Sequence, residues 1–313
     1  MSEIIERSPE ERVLAPDASA PLPIKKKLLK GYLDVLAKVS PTAAGRRATD
    51  LFGYTRNFGK TPPKDVAPLG ARRFPIKDVP GVTHGYLWGK AERTVLLVHG
   101  WGADSSSMYS FVRSLLKAGF QVAAFDAPAH GVSVGTLTTM TAFKNAVKGA
   151  ILSLGDVYGI VAHSLGCIAS TGALAELGAT HTVEALVLVS PAATLPEVIQ
   201  NWSKGFLKLT PAVVHAMHVE LWKRNGVPVE HWNIGVLGRN LRAPILVLHD
   251  PRDPVVPICE SEKIAEALPA VSLERIAKVG HVRILSDGQV VERIANFMGV
   301  HAAATPFATP AAS

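Results

Sequence analysis

Val157-Tyr158-Gly159-Ile160-Val161-Ala162-His163-Ser164-Leu165-Gly166 is an apolar run that breaks on a serine, and a helix-like run, Cys167 to Leu177, follows it. Strand, sharp turn carrying a serine, then helix is the arrangement of a nucleophile elbow. The turn lifts the serine hydroxyl clear of the sheet. It also aims the first N–H groups of the helix at the place where an oxyanion would form. A turn this tight leaves no room for side chains two residues either side of the serine. Gly166 meets that demand, and Ala162, with a single methyl, departs from it minimally. A serine between two small residues is common by chance, so its meaning depends on what accompanies it along the chain.

Five further apolar runs read as buried strands. They are Arg93 to Val98, Phe120 to Phe125, Ala185 to Ser190, Pro244 to His249 and Val271 to Ile276. Helical patterns alternate with them at Ser106 to Ala118, Met140 to Leu154, Cys167 to Leu177, Glu260 to Leu268 and Gly288 to Met298. Alternation of this kind predicts parallel βαβ units, and so an α/β fold with a doubly wound, mostly parallel sheet and helices on both faces. Ligands bind such sheets at the carboxyl ends of the strands. The polar clusters lie there: His99-Gly100-Trp101-Gly102, Asp126-Ala127-Pro128-Ala129-His130-Gly131, the Ser164 turn, Asp250-Pro251-Arg252-Asp253 and Val279-Gly280-His281.

Taken in order with Ala162-His163-Ser164-Leu165-Gly166 and Asp253-Pro254-Val255-Val256-Pro257, these motifs resemble the α/β-hydrolase superfamily, in its serine esterase and lipase-like branch with a cap insert. The resemblance covers about residues 70 to 299, and serine, acid, histidine is the superfamily's order. It implies a serine hydrolase acting on carboxylic esters or thioesters through an acyl-enzyme, with no cofactor and no metal, and a small acyl compound as substrate. Amidase, lipase-like and carbon–carbon bond hydrolase activities share the same triad. A non-catalytic ligand-binding member of the fold is the reading from another class.

The expected catalytic residues are Ser164, Asp253 and His281. Ser164 needs an adjacent base to become nucleophilic; its bland alternative is a helix N-cap. His281, in the loop after the last strand, can accept and return that proton. Asp253 would hold the His281 tautomer. Its rival is Asp250, nearer the strand end and suited to shaping the turn; Asp253 is preferred because it precedes Pro254-Val255-Val256-Pro257, as the superfamily's acid does. The oxyanion hole would be the backbone N–H groups of Trp101 and Leu165, and the Trp101 ring could wall the acyl pocket. His99, Asp126 and His130 read as loop organisers, and His163 as structural. Related classes that carry Asp or Cys at the elbow, or Met after the serine, do not fit Ser164-Leu165.

The chain has 313 residues and is 48% hydrophobic, enough for one domain with appendages. Its two cysteines lie far apart, so neither a disulfide framework nor a metal cluster is indicated and a reduced, cytoplasmic setting is expected. The first 20 residues are polar and acidic and lack a signal-peptide core. The formal charge of +7 comes with no nucleic-acid-binding motif. The expected organisation is an N-terminal extension over 1–68, a core over 69–190 and 243–299, a helical cap over 191–242 and a flexible tail over 300–313. In the extension, Ile24, Leu28, Leu29, Tyr32, Leu33 and Leu36 share a helical face within residues 24–39, with lysines mostly elsewhere, and Arg46 to Phe58 could continue it. Docking on the body with lysines outward is the usual outcome; peripheral contact with an anionic membrane is the other reading. Nothing in the sequence indicates an oligomeric state.

Overall fold

A computed structural model describes residues 24–55, 66–68 and 70–304. Residues 1–23, the Phe58 end of the extension, and the tail from 305 lie outside them. The chain opens with α1 (Ile24–Val39) and α2 (Pro41–Gly53). Ser40 separates the two helices: its hydroxyl accepts the Ala43 N–H at 3.2 Å, and Pro41, with no N–H to lose, occupies the first helical position. There follow β1 (Arg72–Pro75), β2 (His84–Trp88), β3 (Thr94–Val98), α3 (Ser110–Lys117), β4 (Gln121–Phe125), α4 (Met140–Leu154), β5 (Val157–His163), α5 (Leu165–Leu177) and β6 (Ala185–Val189). The insert then contributes α6 (Leu195–Phe206), α7 (Pro211–Asn225) and α8 (Ile234–Leu237). The chain closes with β7 (Ile245–His249), α9 (Ile258–Ala267), β8 (Val271–Arg275), α10 (Gly280–Arg283) and α11 (Gly288–Ala304).

The eight strands form one sheet in the order β1-β2-β4-β3-β5-β6-β7-β8. Pairings from β4 through β8 are parallel, while β1–β2 and β2–β4 are antiparallel. The expected doubly wound sheet is therefore present, with two antiparallel strands added at one edge. Alternate residues point to opposite faces. Leu96, Ala123, Ile160, Leu186 and Val247 join the cluster that includes Phe143, Ile168 and Ile264 from α4, α5 and α9. Leu97, Val122, Val161, Val187 and Leu248 join Phe111, Leu115, Ile294 and Met298 from α3 and α11. Burial on both faces is why these strands are unbroken apolar runs in the sequence.

From β3 the chain passes by α3 to β4 on one side, then returns by α4 across the opposite face to β5. The direction of winding reverses between β3 and β5. The crevice outside their carboxyl ends is a topological switch point, and His99–Gly102 and Ser164 lie there.

Two expectations are corrected. The helix α11 runs on to Ala304, so residues 300–304 are helical where a loose tail is expected. In α1, Leu33 is buried and packs with Leu29, Leu51, Leu207, Leu209 and Trp202, but Leu28 and Tyr32, assigned to the same face, are 71% and 54% exposed. The helix is rotated so that the stripe of Leu29, Leu33 and Leu36 faces inward, and it packs against α2 and the loop after α6.

Candidate active site

Ser164 sits between β5 and α5 with φ 53° and ψ −125°. A non-glycine residue with positive φ is strained, and such strain persists only where the surroundings impose it. Here they do. The Ser164 N–H donates to Val189 O at 3.0 Å, and the next small residue is held by close approach: a Cβ on Gly166 would fall 2.3 Å from the His99 carbonyl oxygen. The Ser164 hydroxyl makes no capping bond to α5, which removes the bland reading of this residue. It is half-buried and faces His281.

The structure brings the three sequence-derived residues into one hydrogen-bonded line. The Ser164 hydroxyl lies 3.1 Å from His281 Nε2, and His281 Nδ1 lies 2.7 Å from Asp253 Oδ2. A carboxylate can only accept, so Nδ1 carries the hydrogen, and Nε2 keeps its lone pair toward the serine. Asp253 Oδ1 accepts the Val255 and Val256 N–H groups at 2.7 and 2.9 Å. Burial alone would raise the pKa of this carboxyl. Hydrogen bonds from His249 and His281 outweigh it and hold the group well below the usual carboxylate range.

Asp250 does not touch His281's ring. Its Oδ2 accepts the Val279 and Gly280 N–H groups at 2.7 and 2.6 Å, and its Oδ1 accepts the Arg252 N–H at 2.9 Å. One carboxylate thus joins the loop after β7 to the two residues that precede His281. Burial opposes its charge, but these backbone donors lower its pKa.

Two histidines support the line from behind. His249 Nε2 donates to Val256 O at 2.9 Å and lies 3.4 Å from Asp253 Oδ2; its Nδ1 accepts from the Ser261 hydroxyl at 2.6 Å. The sequence reading missed it, because it looks like the last residue of a buried strand. Its signal is a polar residue ending an otherwise apolar strand four positions before the acid. His163 Nε2 donates to the His281 carbonyl oxygen at 3.0 Å, with the two rings 4.7 Å apart. Burial, then the neighbouring His281, pushes the His163 pKa down to about 3, so the ring is neutral.

Leu165 is the first residue of α5, so its N–H has no acceptor within the helix. Trp101 stands on the adjoining loop after β3, which packs on the elbow at Gly166. That loop is held by the residues read as organisers. His99 Nε2 accepts the Ala127 N–H, His130 Nε2 accepts the Gly102 N–H, and Asp126 accepts the Ser105 and Val132 N–H groups. The Trp101 indole donates to Phe52 O at 3.0 Å and stacks on the Phe52 ring at 5.4 Å, and Trp202 from α6 meets Phe52 edge-on, also at 5.4 Å. The N-terminal helices and the insert therefore meet beside the candidate site. No sequence signal linked them.

The chain matches the model of the alpha/beta hydrolase family over residues 95–294. No curated protein sequence matches it. Among solved structures it is similar to an esterase of Pyrococcus furiosus, at 22% identity and TM-score 0.56 over 78% of this chain and 97% of that one. It is also similar to Est1E of Butyrivibrio proteoclasticus with ferulic acid bound, at 18% identity and TM-score 0.58, over 74% of this chain and 100% of the other. A third likeness is to a monoacylglycerol lipase of Paleococcus ferrophilus, at 20% identity and TM-score 0.54, over 69% of this chain and 98% of the other. At these identities the likeness is one of fold.

Proposed function

This chain belongs to the alpha/beta hydrolase family, and from that premise we propose that it cleaves carboxylic esters, thioesters among them, through Ser164, His281 and Asp253. The observation that carries the reading is the unbroken line from the Ser164 hydroxyl through His281 to Asp253, set on a strained turn at the sheet's switch point. The esterases and the lipase among its structural neighbours favour esters as the substrate class.

The chemistry follows from the geometry. His281 Nε2 takes the Ser164 proton as Oγ attacks the carbonyl carbon, and Asp253 stabilises the imidazolium through Nδ1–H. Negative charge develops on the carbonyl oxygen, where the N–H groups of Trp101 and Leu165 would hold it. Collapse breaks the bond to the leaving alcohol, which departs with the proton from His281 and leaves Ser164 acylated. Water then gives a proton to His281 and attacks the acyl carbon. The carboxylic acid leaves, and the proton returns to Ser164. The residues present need no metal or cofactor for these steps. Phe52, Trp101 and Trp202 would wall the acyl group, with the insert over 191–242 and α2 together acting as a lid that keeps water out. The two cysteines, Cys167 buried and Cys259 exposed, are free, in keeping with a reducing cytoplasm.

The deciding experiment is labelling of the purified protein with a fluorophosphonate, with the modified residue mapped by mass spectrometry. Modification at Ser164, absent in Ser164→Ala, together with hydrolysis of p-nitrophenyl esters that falls by about 10⁴-fold or more in that variant, is expected. A folded protein that neither labels nor turns over any ester or thioester would overturn the proposal.

A further inference from the structure

The apolar arc of α1 is wider than the contact it makes. Leu29, Leu33, Leu36 and Ala37 face inward. Leu28, Tyr32, Val35 and Val39 recur at intervals of four, three and four, so they form a second stripe along the same helix. These four are 71%, 54%, 64% and 81% exposed. A helix exposed on its outer side normally presents polar residues there. This one presents a row of large apolar side chains, flanked by the exposed Lys27 and Lys38.

The charge of the chain concentrates in the same place. Residues 24–53 carry seven basic side chains against two acidic ones, so most of the net +7 lies in this thirty-residue appendage. Within α1 the count is five lysines to one aspartate, and that Asp34 is paired with Lys30 at 2.5 Å. On α2, Arg46 and Arg47 are partly met by Glu220 and Asp50. An apolar stripe bordered by unbalanced lysines is complementary to a surface that is apolar within and anionic at its boundary. We propose that the outward face of α1 is a docking surface for an anionic lipid bilayer. A second copy of the chain fits the face less well, because a two-fold contact would set α1 against itself and bring its lysines together. The inner side of α1 packs on Trp202 and Leu51, next to Phe52 and Trp101. A bilayer docked on α1 would lie close to the proposed acyl wall.

The test is co-sedimentation of the full chain with phosphatidylcholine vesicles and with vesicles containing phosphatidylglycerol, so it does not depend on whether the protein hydrolyses anything. Binding to the anionic vesicles, weakened by added salt, is expected. Lys27→Gln and Lys38→Gln should each lower the partition coefficient about fivefold, and Leu28→Ser and Val35→Ser about tenfold or more each. Thermal unfolding followed by circular dichroism should be unchanged in all four, since none of these side chains packs on the fold. Absence of binding by the wild-type chain overturns the proposal, as does undiminished binding by the Leu28 and Val35 variants. A fall in solution mass from dimer to monomer in those variants also overturns it, by assigning the face to a second copy. Slowed hydrogen exchange of residues 1–23 that Leu28→Ser and Val35→Ser release would assign the face to the chain's own acidic N-terminus, and would overturn it too.

Discussion

At the scale of single residues, two aspartates three positions apart do different jobs. Asp253 faces the His281 ring, whereas Asp250 ties down the backbone on which His281 stands. Asp253→Asn keeps the shape but removes the charge and presents the wrong hydrogen-bonding partner to Nδ1, so kcat for an ester should fall about 10⁴-fold. In Asp250→Asn the amide oxygen still accepts the Val279 and Gly280 N–H groups, and the loss should stay below about tenfold. Steady-state kinetics on the two variants checks this, and equal losses would refute the division of roles. His249 acts one step further out. His249→Phe fills the space but removes the donor near Asp253 Oδ2 and leaves the Ser261 hydroxyl without its acceptor. The expected result is a fall of about tenfold in kcat with KM unchanged. His249→Gln, whose amide can donate to the same oxygen, should recover part of the lost kcat.

At the scale of elements, the site depends on a contact between parts of the chain that the sequence keeps far apart. The helix α2 crosses α7 so closely that a Cβ on Gly45 would fall 2.3 Å from the Ala216 Cβ and 2.7 Å from its carbonyl carbon. Gly45→Ala must push the helices apart, and overpacking of this kind costs about 1–3 kcal/mol. A lowering of Tm by about 3–10 °C in calorimetry is expected. Because Phe52 on α2 stacks on Trp101 and is proposed to wall the acyl group, KM for bulky acyl esters should rise while kcat for an acetyl ester stays near wild type, since Ser164, Asp253 and His281 stand on other elements. Such contacts mark the limit of what the sequence reveals. The strands from β3 to β7 are legible because burial on both faces writes them as continuous apolar runs. Their terminal motifs are legible because the chemistry sits at strand ends. Four-residue β1, three of whose residues are exposed, leaves no such run, and β2, as long as β3 and β4, opens on His84 and Gly85, which leaves only three apolar residues in a row. For α1 the periodicity shows a broad apolar arc, but which half is covered depends on α2, Leu207 and Leu209, and no local pattern encodes that. His249 is hidden for a related reason: its partners Val256 and Ser261 become neighbours when the loop after β7 folds back over it.

At the scale of the whole molecule, the buried polar layer at the end of the sheet makes stability depend on pH. His163 is neutral in the fold, its pKa lowered from 6.5 to about 3 by burial and by the nearby His281. In the unfolded chain it takes up a proton as pH falls through its ordinary value. In the native state it does not do so until near pH 3. The unfolded state therefore binds more protons throughout this window, and stability must rise with pH across it. The contribution is complete above about pH 6.5 and declines steadily below it, so this one ring should account for a loss of about 2 kcal/mol between pH 7.5 and pH 5. Asp253 acts in the same direction at lower pH: its carboxyl is held below the usual range, so the stability it adds is present above the ordinary carboxylate pKa and is lost progressively as pH falls below that toward the lowered native value. Urea unfolding at pH 7.5 and pH 5 isolates the histidine term when wild type is compared with His163→Gln. The amide can still donate to the His281 carbonyl but has no proton to gain, so the variant should be less stable at pH 7.5 and lose about 2 kcal/mol less than wild type on acidification. An identical pH dependence in the two proteins would mean that His163 is not held neutral in the native state.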